Sequence, residues 1–228
     1  MESRDWSSDV CSSDLYTFVV PIKQMQMKLA VMTHSTFFVE EDKILTTLFN
    51  EGMENLHLCK WEASPIYSER LLSLLNEDNR KRTTVHDNFY LKNEFELGGI
   101  HLDTIDTPIP EGYKGKVSRT CGDLSLLKDT VKISKYVFFS NFLLPKQENS
   151  DTKTYSLDLL EKAAKSGYIN KNVYAMGNIN LETIPVAKAL GFGGVVLCED
   201  LWNRFDIQNQ TDYRDLIHHF QKIKRAIG

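Results

Sequence analysis

Eight short apolar runs, each followed by a polar or helical stretch, constrain the fold of this 228-residue chain more than any other feature. Alternating strands and helices are typical of parallel sheets, and eight strands of similar length are many for an open sheet. The sequence therefore predicts an α/β fold, a single-domain (β/α)8 TIM barrel. A doubly wound open sheet is the alternative, although no glycine-rich dinucleotide motif follows the first run.

The positions of the elements follow from hydrophobic periodicity and from residues that end helices. Strands are predicted at 28–33, 55–58, 83–86, 99–102, 116–120, 136–140, 172–176 and 194–197. Helices are predicted at 39–51, 65–75, 90–95, 123–128, 156–166, 181–190 and 212–226. We assign residues 27–206 to the barrel and residues 207–228 to a closing helix of the same domain.

The first 26 residues are predicted not to belong to the native protein. Residues 5–15 (DWSSDVCSSDL) have no apolar period and do not form a signal peptide. All eleven match the in-frame translation of a common sequencing-adapter oligonucleotide, which indicates read-through, and Met27 is a plausible native start. A real leader without regular structure is the alternative.

The composition excludes several classes of protein. With 42% hydrophobic and 25% charged residues, the chain is an ordinary globular protein. Its net charge of −4 argues against nucleic-acid binding, and no apolar run is long enough to span a membrane. Four cysteines do not make a disulfide scaffold, so we expect a cytoplasmic protein. The oligomeric state stays open.

Polar side chains lie at the predicted carboxyl ends of the strands, where the active sites of such barrels form. Asp87 and Asp106 follow neighbouring strands, and two carboxylates beside a diphosphate suit Mg²⁺. Two solvated loop aspartates are the alternative. His57, His86 and His101 are expected to be buried and hydrogen-bonded. A His/Asp zinc cluster is the alternative, but no HxH or HExxH spacing supports it.

Glycines mark the last two strands, whose following loops usually hold phosphate in such barrels. Gly177 ends one strand and Gly193 precedes the other. Together with Lys60, which we expect across the barrel mouth, they suggest a phosphorylated small-molecule substrate. Ordinary turn formation explains the glycines equally well. Cys59 and Cys121 are expected to be structural and not nucleophilic.

At these strand ends the sequence resembles the thiamine phosphate synthase and thiazole tautomerase family, including a bacterial branch with an LHLRKP-type second strand. The resemblance covers residues 27 to about 206, and order and spacing agree throughout. The matching stretches are 56–60 (LHLCK), 85–91 (VHDNFYL), 99–102 (GIHL), 117–121 (VSRTC), 136–140 (YVFFS), 175–179 (AMGNI) and 191–202 (GFGGVVLCEDLW).

The resemblance implies a (β/α)8 barrel that joins hydroxymethylpyrimidine diphosphate to a thiazole phosphate with the help of Mg²⁺. It also implies roles for individual residues: Asp87 and Asp106 as metal ligands, Lys60 as a cation of the diphosphate site and Thr120 in place of a pyrimidine-contacting serine. His86 stands where the family has a pyrimidine-contacting asparagine. The remaining substrate-binding positions are His57, Cys59, Gly177, Leu197 and Cys198, and Lys60 and Thr120 are the candidate catalytic residues.

Several residues depart from the family pattern. Cys59 replaces an arginine that would hold diphosphate through paired hydrogen bonds. Gly122 and Asp123 replace a pair containing histidine, which removes the proton carrier of a tautomerase. Lys146 or Lys153 is expected to supply the lysine of the loop at 143–154. The chain is therefore predicted to be a synthase, whose activity these losses would impair. The alternatives are a degenerate barrel that binds a thiazole or pyrimidine phosphate, or a tautomerase-like protein.

Overall fold

The computed structural model describes residues 26–61, 63–145, 152–209 and 212–228. Eight parallel strands close into a barrel in sequence order, so the chain is a single-domain (β/α)8 TIM barrel, as predicted. The strands are β1 (Lys28–Met32), β2 (Asn55–Leu58), β3 (Thr83–Val85), β4 (Gly99–Leu102), β5 (Val117–Cys121), β6 (Val137–Phe142), β7 (Val173–Gly177) and β8 (Gly194–Leu197). The predicted leader lies almost wholly outside the described residues.

The helices cover the outside of the barrel. They are α1 (Glu41–Asn50), α2 (Pro65–Leu74), α3 (Glu77–Lys81), α4 (Leu91–Glu94), α5 (Leu124–Lys132), α6 (Leu157–Lys165), α7 (Ile184–Ala189), α8 (Glu199–Trp202) and α9 (Arg214–Ile227). Helix α9 packs against α1, α7, α8 and β1 and buries Leu216, Phe220 and Ile223. No helix in the described part of the chain has the length and apolar character that a membrane span requires.

Residues alternate between two environments along each strand, because successive side chains of a strand point to opposite faces. On β2, Leu56 and Leu58 pack in the large apolar core between strands and helices. His57, from the same strand, points into the barrel and contacts Phe138 of β6. Ala30, Phe138 and Val196 form a second apolar cluster inside the barrel, with partly buried residues packed against it: Met32, Tyr136, Tyr174, Met176 and Cys198. Polar side chains, among them His57 and His101, share the interior and contact Phe138.

Several element boundaries differ from the predicted ones; α5, for example, ends at Lys132 and not at 128. Two of the differences have local reasons. Helix α7 begins at Ile184 and not at 181, because the side chain of Asn180 accepts hydrogen bonds from the backbone amides of Glu182 and Thr183 and forms a turn. Strand β6 continues to Phe142 through an irregularity in its pairing with β7. At the end of β7, Gly177 has a φ of 126°, and a Cβ there would lie 2.9 Å from the carbonyl oxygen of Phe142. This close approach requires glycine.

Candidate active site

Ionisable side chains gather at the barrel mouth, where β2, β3, β4 and β8 end. Burial raises the pKa of the Cys59 thiol to about 12, and the nearby carboxylates of Asp87 and Asp103 add to this effect. Burial also raises the pKa of the Cys198 thiol to about 12, with a contribution from Cys59. Both thiols are protonated at neutral pH, so neither is an activated nucleophile.

The carboxylate whose charge affects the pKa of Asp87 is that of Asp103. Burial raises the pKa of Asp87, and the charge of Asp103 raises it further. Asp106, which was predicted as the second metal ligand, lies three residues farther along the same loop, and both Asp103 and Asp106 are exposed. The sequence interpretation passed over Asp103, although it directly follows β4. The roles of Asp87 and Asp106 as a metal pair stay predictions, and Asp103 is a further candidate.

One oxygen of Asp87 suits a cation. Its Oδ1 atom is buried and has no hydrogen-bond partner among the described residues. An unpaired buried oxygen is unfavourable and rare in folded proteins. A divalent cation would satisfy it, and carboxylate oxygens are the ligands that Mg²⁺ prefers. Asp87, with Asp103 beside it, therefore fits the metal that the resemblance implies.

Lys60 lies in a different place from the one predicted. Its ammonium is fully buried 2.6 Å from Glu41 Oε1, 3.1 Å from the carbonyl oxygen of Thr36 and 4.3 Å from the ring centre of Phe37. The structure corrects the placement across the mouth: Cys59 lies at the mouth, so its neighbour points outward to α1. The role of Lys60 in diphosphate binding or catalysis stays a prediction.

Three buried histidines lie side by side inside the barrel. His57 Nδ1 is 2.8 Å from His86 Nε2, and the rings of His86 and His101 stack with centres 4.1 Å apart. Burial lowers the pKa of all three, that of His86 to about 3. The imidazoles are therefore neutral at neutral pH.

The histidine cluster is better explained by hydrogen bonding than by a metal. One nitrogen from each ring lies within 4.8 Å of the others, a spacing that could admit an ion. However, His86 and His101 are nearly parallel, at 17°, so their in-plane lone pairs do not converge on one point. His101 instead pairs with Ser118 and Thr120, at 2.9 and 2.8 Å. The expected hydrogen-bonded histidines are confirmed.

The other predicted site residues occupy distinct positions. Thr120 is half-buried at the end of β5, and Cys198 follows β8. The side chain of Leu197 is buried in the core between strands and helices, so only its backbone is available to a ligand. Lys153 pairs with Asp123, which lowers the pKa of that carboxyl to about 2. Lys146 lies outside the described residues.

The chain is similar to a solved structure, a thiamine phosphate pyrophosphorylase from Bacteroides thetaiotaomicron. The two sequences are 42% identical, the similarity covers 88% of this chain and 97% of that chain, and the TM-score is 0.79. The chain belongs to the thiamine phosphate pyrophosphorylase family. This family assignment agrees with the resemblance to thiamine phosphate synthases that the strand-end motifs indicate.

A second thiamine phosphate pyrophosphorylase, from Pyrococcus furiosus, supports the fold. It is 15% identical, the similarity covers 90% of this chain and 96% of that chain, and the TM-score is 0.69. No family model matches the chain, and no curated protein matches it. Membership of the pyrophosphorylase family therefore rests on the Bacteroides structure and on the motifs at the strand ends.

Proposed function

We propose that this family member is a thiamine phosphate synthase, which condenses hydroxymethylpyrimidine diphosphate with a thiazole phosphate to give thiamine phosphate and pyrophosphate. The observation that carries the proposal is the pair of carboxylates at the mouth, with the buried Oδ1 of Asp87 unpaired among the described residues. A protein that only binds a phosphorylated heterocycle has little use for such a pair. The 42% identical structure, a thiamine phosphate pyrophosphorylase, supports the same activity.

In the proposed reaction, the bond between the pyrimidine methylene carbon and the diphosphate oxygen breaks, and diphosphate leaves with the electron pair. The thiazole nitrogen then forms the new bond to that carbon. Mg²⁺, when bound, neutralises charge on the leaving diphosphate. Asp87 and Asp103 or Asp106 would hold the cation, His86 and Thr120 would bind the pyrimidine, and the backbone at Gly177 would bind the thiazole phosphate.

The second candidate is a protein that binds its ligand without turning it over. The scarcity of positively charged side chains available to diphosphate favours this candidate. Diphosphate carries several negative charges, yet Cys59 has replaced an arginine and offers a neutral thiol. Lys60 and Lys153 are both engaged with carboxylates in the described structure. Unless one of these lysines changes partner when the substrate binds, diphosphate is held weakly. A tautomerase is less well supported, because Gly122 and Asp123 supply no histidine.

The deciding experiment incubates the purified chain with both substrates and Mg²⁺ and measures thiamine phosphate. We expect formation that depends on the metal and is lost in Asp87→Asn, which preserves shape but removes the charge. Asp158→Asn, on the exposed face of α6, is the matched control and should retain activity. Binding of either substrate without product in the wild type would favour the binding protein. Full activity of Asp87→Asn would contradict the metal assignment.

A further inference from the structure

A cavity of about 450 Å³ opens at the amino-terminal end of the barrel, opposite the mouth. Its volume lies within the range of about 300–1,000 Å³ that is typical of small-molecule sites. Among the described residues that line it, none is a predicted substrate-binding or metal-binding residue. The cavity is therefore separate from the candidate active site.

Cations dominate the charged side chains around this cavity. Five of the lining residues are lysine or arginine and one, Glu54, is acidic, whereas the whole chain has 27 basic and 31 acidic residues. They come together because all strands of a parallel barrel begin at the same end: Lys28 opens β1, Arg82 directly precedes β3 and Lys116 directly precedes β5. Like charges grouped in this way create a local positive potential on a chain whose net charge is negative.

Two of the five cations are available to a ligand. Lys28 and Lys81 pair with carboxylates, and Arg82 donates to a backbone carbonyl oxygen at 3.0 Å. Lys116 and Lys135 line the cavity, are exposed and have no hydrogen-bond or ion-pair partner in the part of the chain that the structure describes. Lysine ammonium groups bind phosphate oxygens as point charges, so these two can hold an anionic group at the rim.

The wall of the cavity inside the barrel is polar. Tyr136 and Tyr174 stack with ring centres 5.0 Å apart. The hydroxyl of Tyr136 lies 2.8 Å from Asn55 Nδ2 and 2.9 Å from His57 Nε2, whereas that of Tyr174 has no hydrogen-bond partner among the described residues. Burial raises the pKa of Tyr174, so its hydroxyl stays protonated and can donate to a ligand.

Glycine at position 194 makes room for the ring of Tyr174. A Cβ on Gly194, the first residue of β8, would lie 2.8 Å from two ring carbons of Tyr174 and 2.8 Å from the carbonyl oxygen of Lys28. A larger residue would therefore displace the ring from its place against Tyr136. The cavity thus contains a positioned hydroxyl donor in addition to two available cations.

We propose that this end of the barrel binds a small molecule that bears a phosphate group, with Lys116 and Lys135 on the phosphate and Tyr174 donating to the rest of the ligand. A phosphate ester and a free phosphate ion share this chemistry. The cavity is larger than a phosphate group and its interior offers neutral donors and acceptors, which favours the ester of a hydroxyl-rich body such as a sugar. The proposal is independent of the proposed function, because it uses no residue of the mouth.

The test compares ribose 5-phosphate with inorganic phosphate, in the absence of divalent cations. Isothermal titration calorimetry measures affinity, and ¹⁹F NMR of 3-fluorotyrosine-labelled protein reports the position, with Tyr174→Phe identifying the resonance of Tyr174. We expect ribose 5-phosphate to shift this resonance and Lys116→Gln/Lys135→Gln to weaken its binding by about tenfold, the effect of two exposed charge pairs. The control Lys165→Gln/Lys222→Gln removes the same charge from exposed positions on α6 and α9 outside the cavity and should leave binding unchanged.

The outcomes distinguish the two sources of phosphate. Tighter binding of ribose 5-phosphate than of inorganic phosphate would assign the site to an ester, and equal affinities with a shifted Tyr174 resonance would assign it to the free anion. A resonance of Tyr174 that neither compound moves would overturn the proposal, as would equal affinity in the wild type and in Lys116→Gln/Lys135→Gln. These measurements do not involve thiamine phosphate formation, so failure of the proposed function would leave their result unchanged.

Discussion

At the scale of single residues, Cys59 is the departure from the family pattern with the clearest chemical consequence. Its side chain lies beside Asp87 and Asp103, where an arginine would offer paired donors to a metal-bound diphosphate. A hydrogen bond to a charged group contributes roughly 1.5–3 kcal/mol, and about 1.4 kcal/mol corresponds to a factor of ten in rate.

We therefore expect the wild type to be a poor synthase and Cys59→Arg to raise kcat/KM by roughly ten- to a hundredfold. Steady-state kinetics at saturating Mg²⁺ check this expectation, with Cys59→Ser as the control that changes the thiol without adding a charge. A normal rate in the wild type, with no gain from arginine, would show that the diphosphate site is not impaired. Absence of turnover in all three proteins would favour the binding protein.

The buried pair of Glu41 and Lys60 should make stability depend on pH. Burial raises the pKa of Glu41 from 4.5 to about 7, although Lys60 opposes the shift, and burial lowers the pKa of Lys60. Between pH 4.5 and 7 the folded state keeps a proton that the unfolded state has released. The free energy of unfolding should therefore fall as the pH rises through this window, by at most about 1.4 kcal/mol per unit.

Urea unfolding at pH 5 and pH 7 measures this effect. The reference is the double variant Glu41→Gln/Lys60→Met, which lacks both ionisable groups and should remain folded, because apolar or neutral replacements of buried pairs are often tolerated. The wild type should lose up to about 2–3 kcal/mol more than this variant between the two pH values. Parallel pH dependence in the two proteins would mean that Glu41 stays ionised in the fold.

At the scale of elements, the loop between β4 and β5 depends on one outward-facing side chain. Arg119 is 3% exposed, and its Nη1 atom donates to the carbonyl oxygens of Thr104 and Thr107 at 2.7 and 2.8 Å. These bonds hold the segment that contains Asp103 and Asp106.

Arg119→Met should free this loop without removing a carboxylate. Hydrogen exchange should become faster between residues 103 and 116, and Mg²⁺-dependent binding of pyrophosphate should weaken by about tenfold, the equivalent of roughly one net hydrogen bond. Arg204→Met, whose partner Asp200 lies on α8, is a control outside the loop. Equal exchange rates in the wild type and Arg119→Met would show that the loop keeps its conformation without Arg119.

All eight strands and seven of the helices appear near their predicted positions. The short helices α3 and α8 were not predicted; α3 begins three residues after the end of α2, and α8 begins two residues after the end of β8. The site was predicted less completely. Alternation along β2 and β5 could have placed Asn55 and Ser118 on the inner face beside the histidines. The position of Asp103 directly after β4 could likewise have indicated it. The partner of Lys60 depends on helix packing, which a strand pattern does not contain.

At the scale of the whole molecule, the described fold begins at Met27, which is 3% exposed in the main core. We propose that residues 1–26 are dispensable, as their adapter-like sequence suggests. A chain of residues 27–228 should unfold within about 2 °C of the full chain, a change equivalent to a fraction of a kcal/mol. Differential scanning calorimetry of the two proteins tests this proposal. A drop of many degrees would show that the leader contributes to the fold.

The seam of the barrel has a consequence for how the chain folds during synthesis. Strand β1 pairs with β8, so Lys28 and Leu29 meet Gly194 and Val195, and α9 packs against β1. On the ribosome, one side of β1 stays unpaired until the last strand has emerged. Contacts this distant in sequence form slowly, and unpaired strand edges promote aggregation. We therefore expect nascent chains that stop before β8 to be recognised by chaperones and cut by proteases, and resistance to both to be acquired only when β8 and α9 leave the exit tunnel.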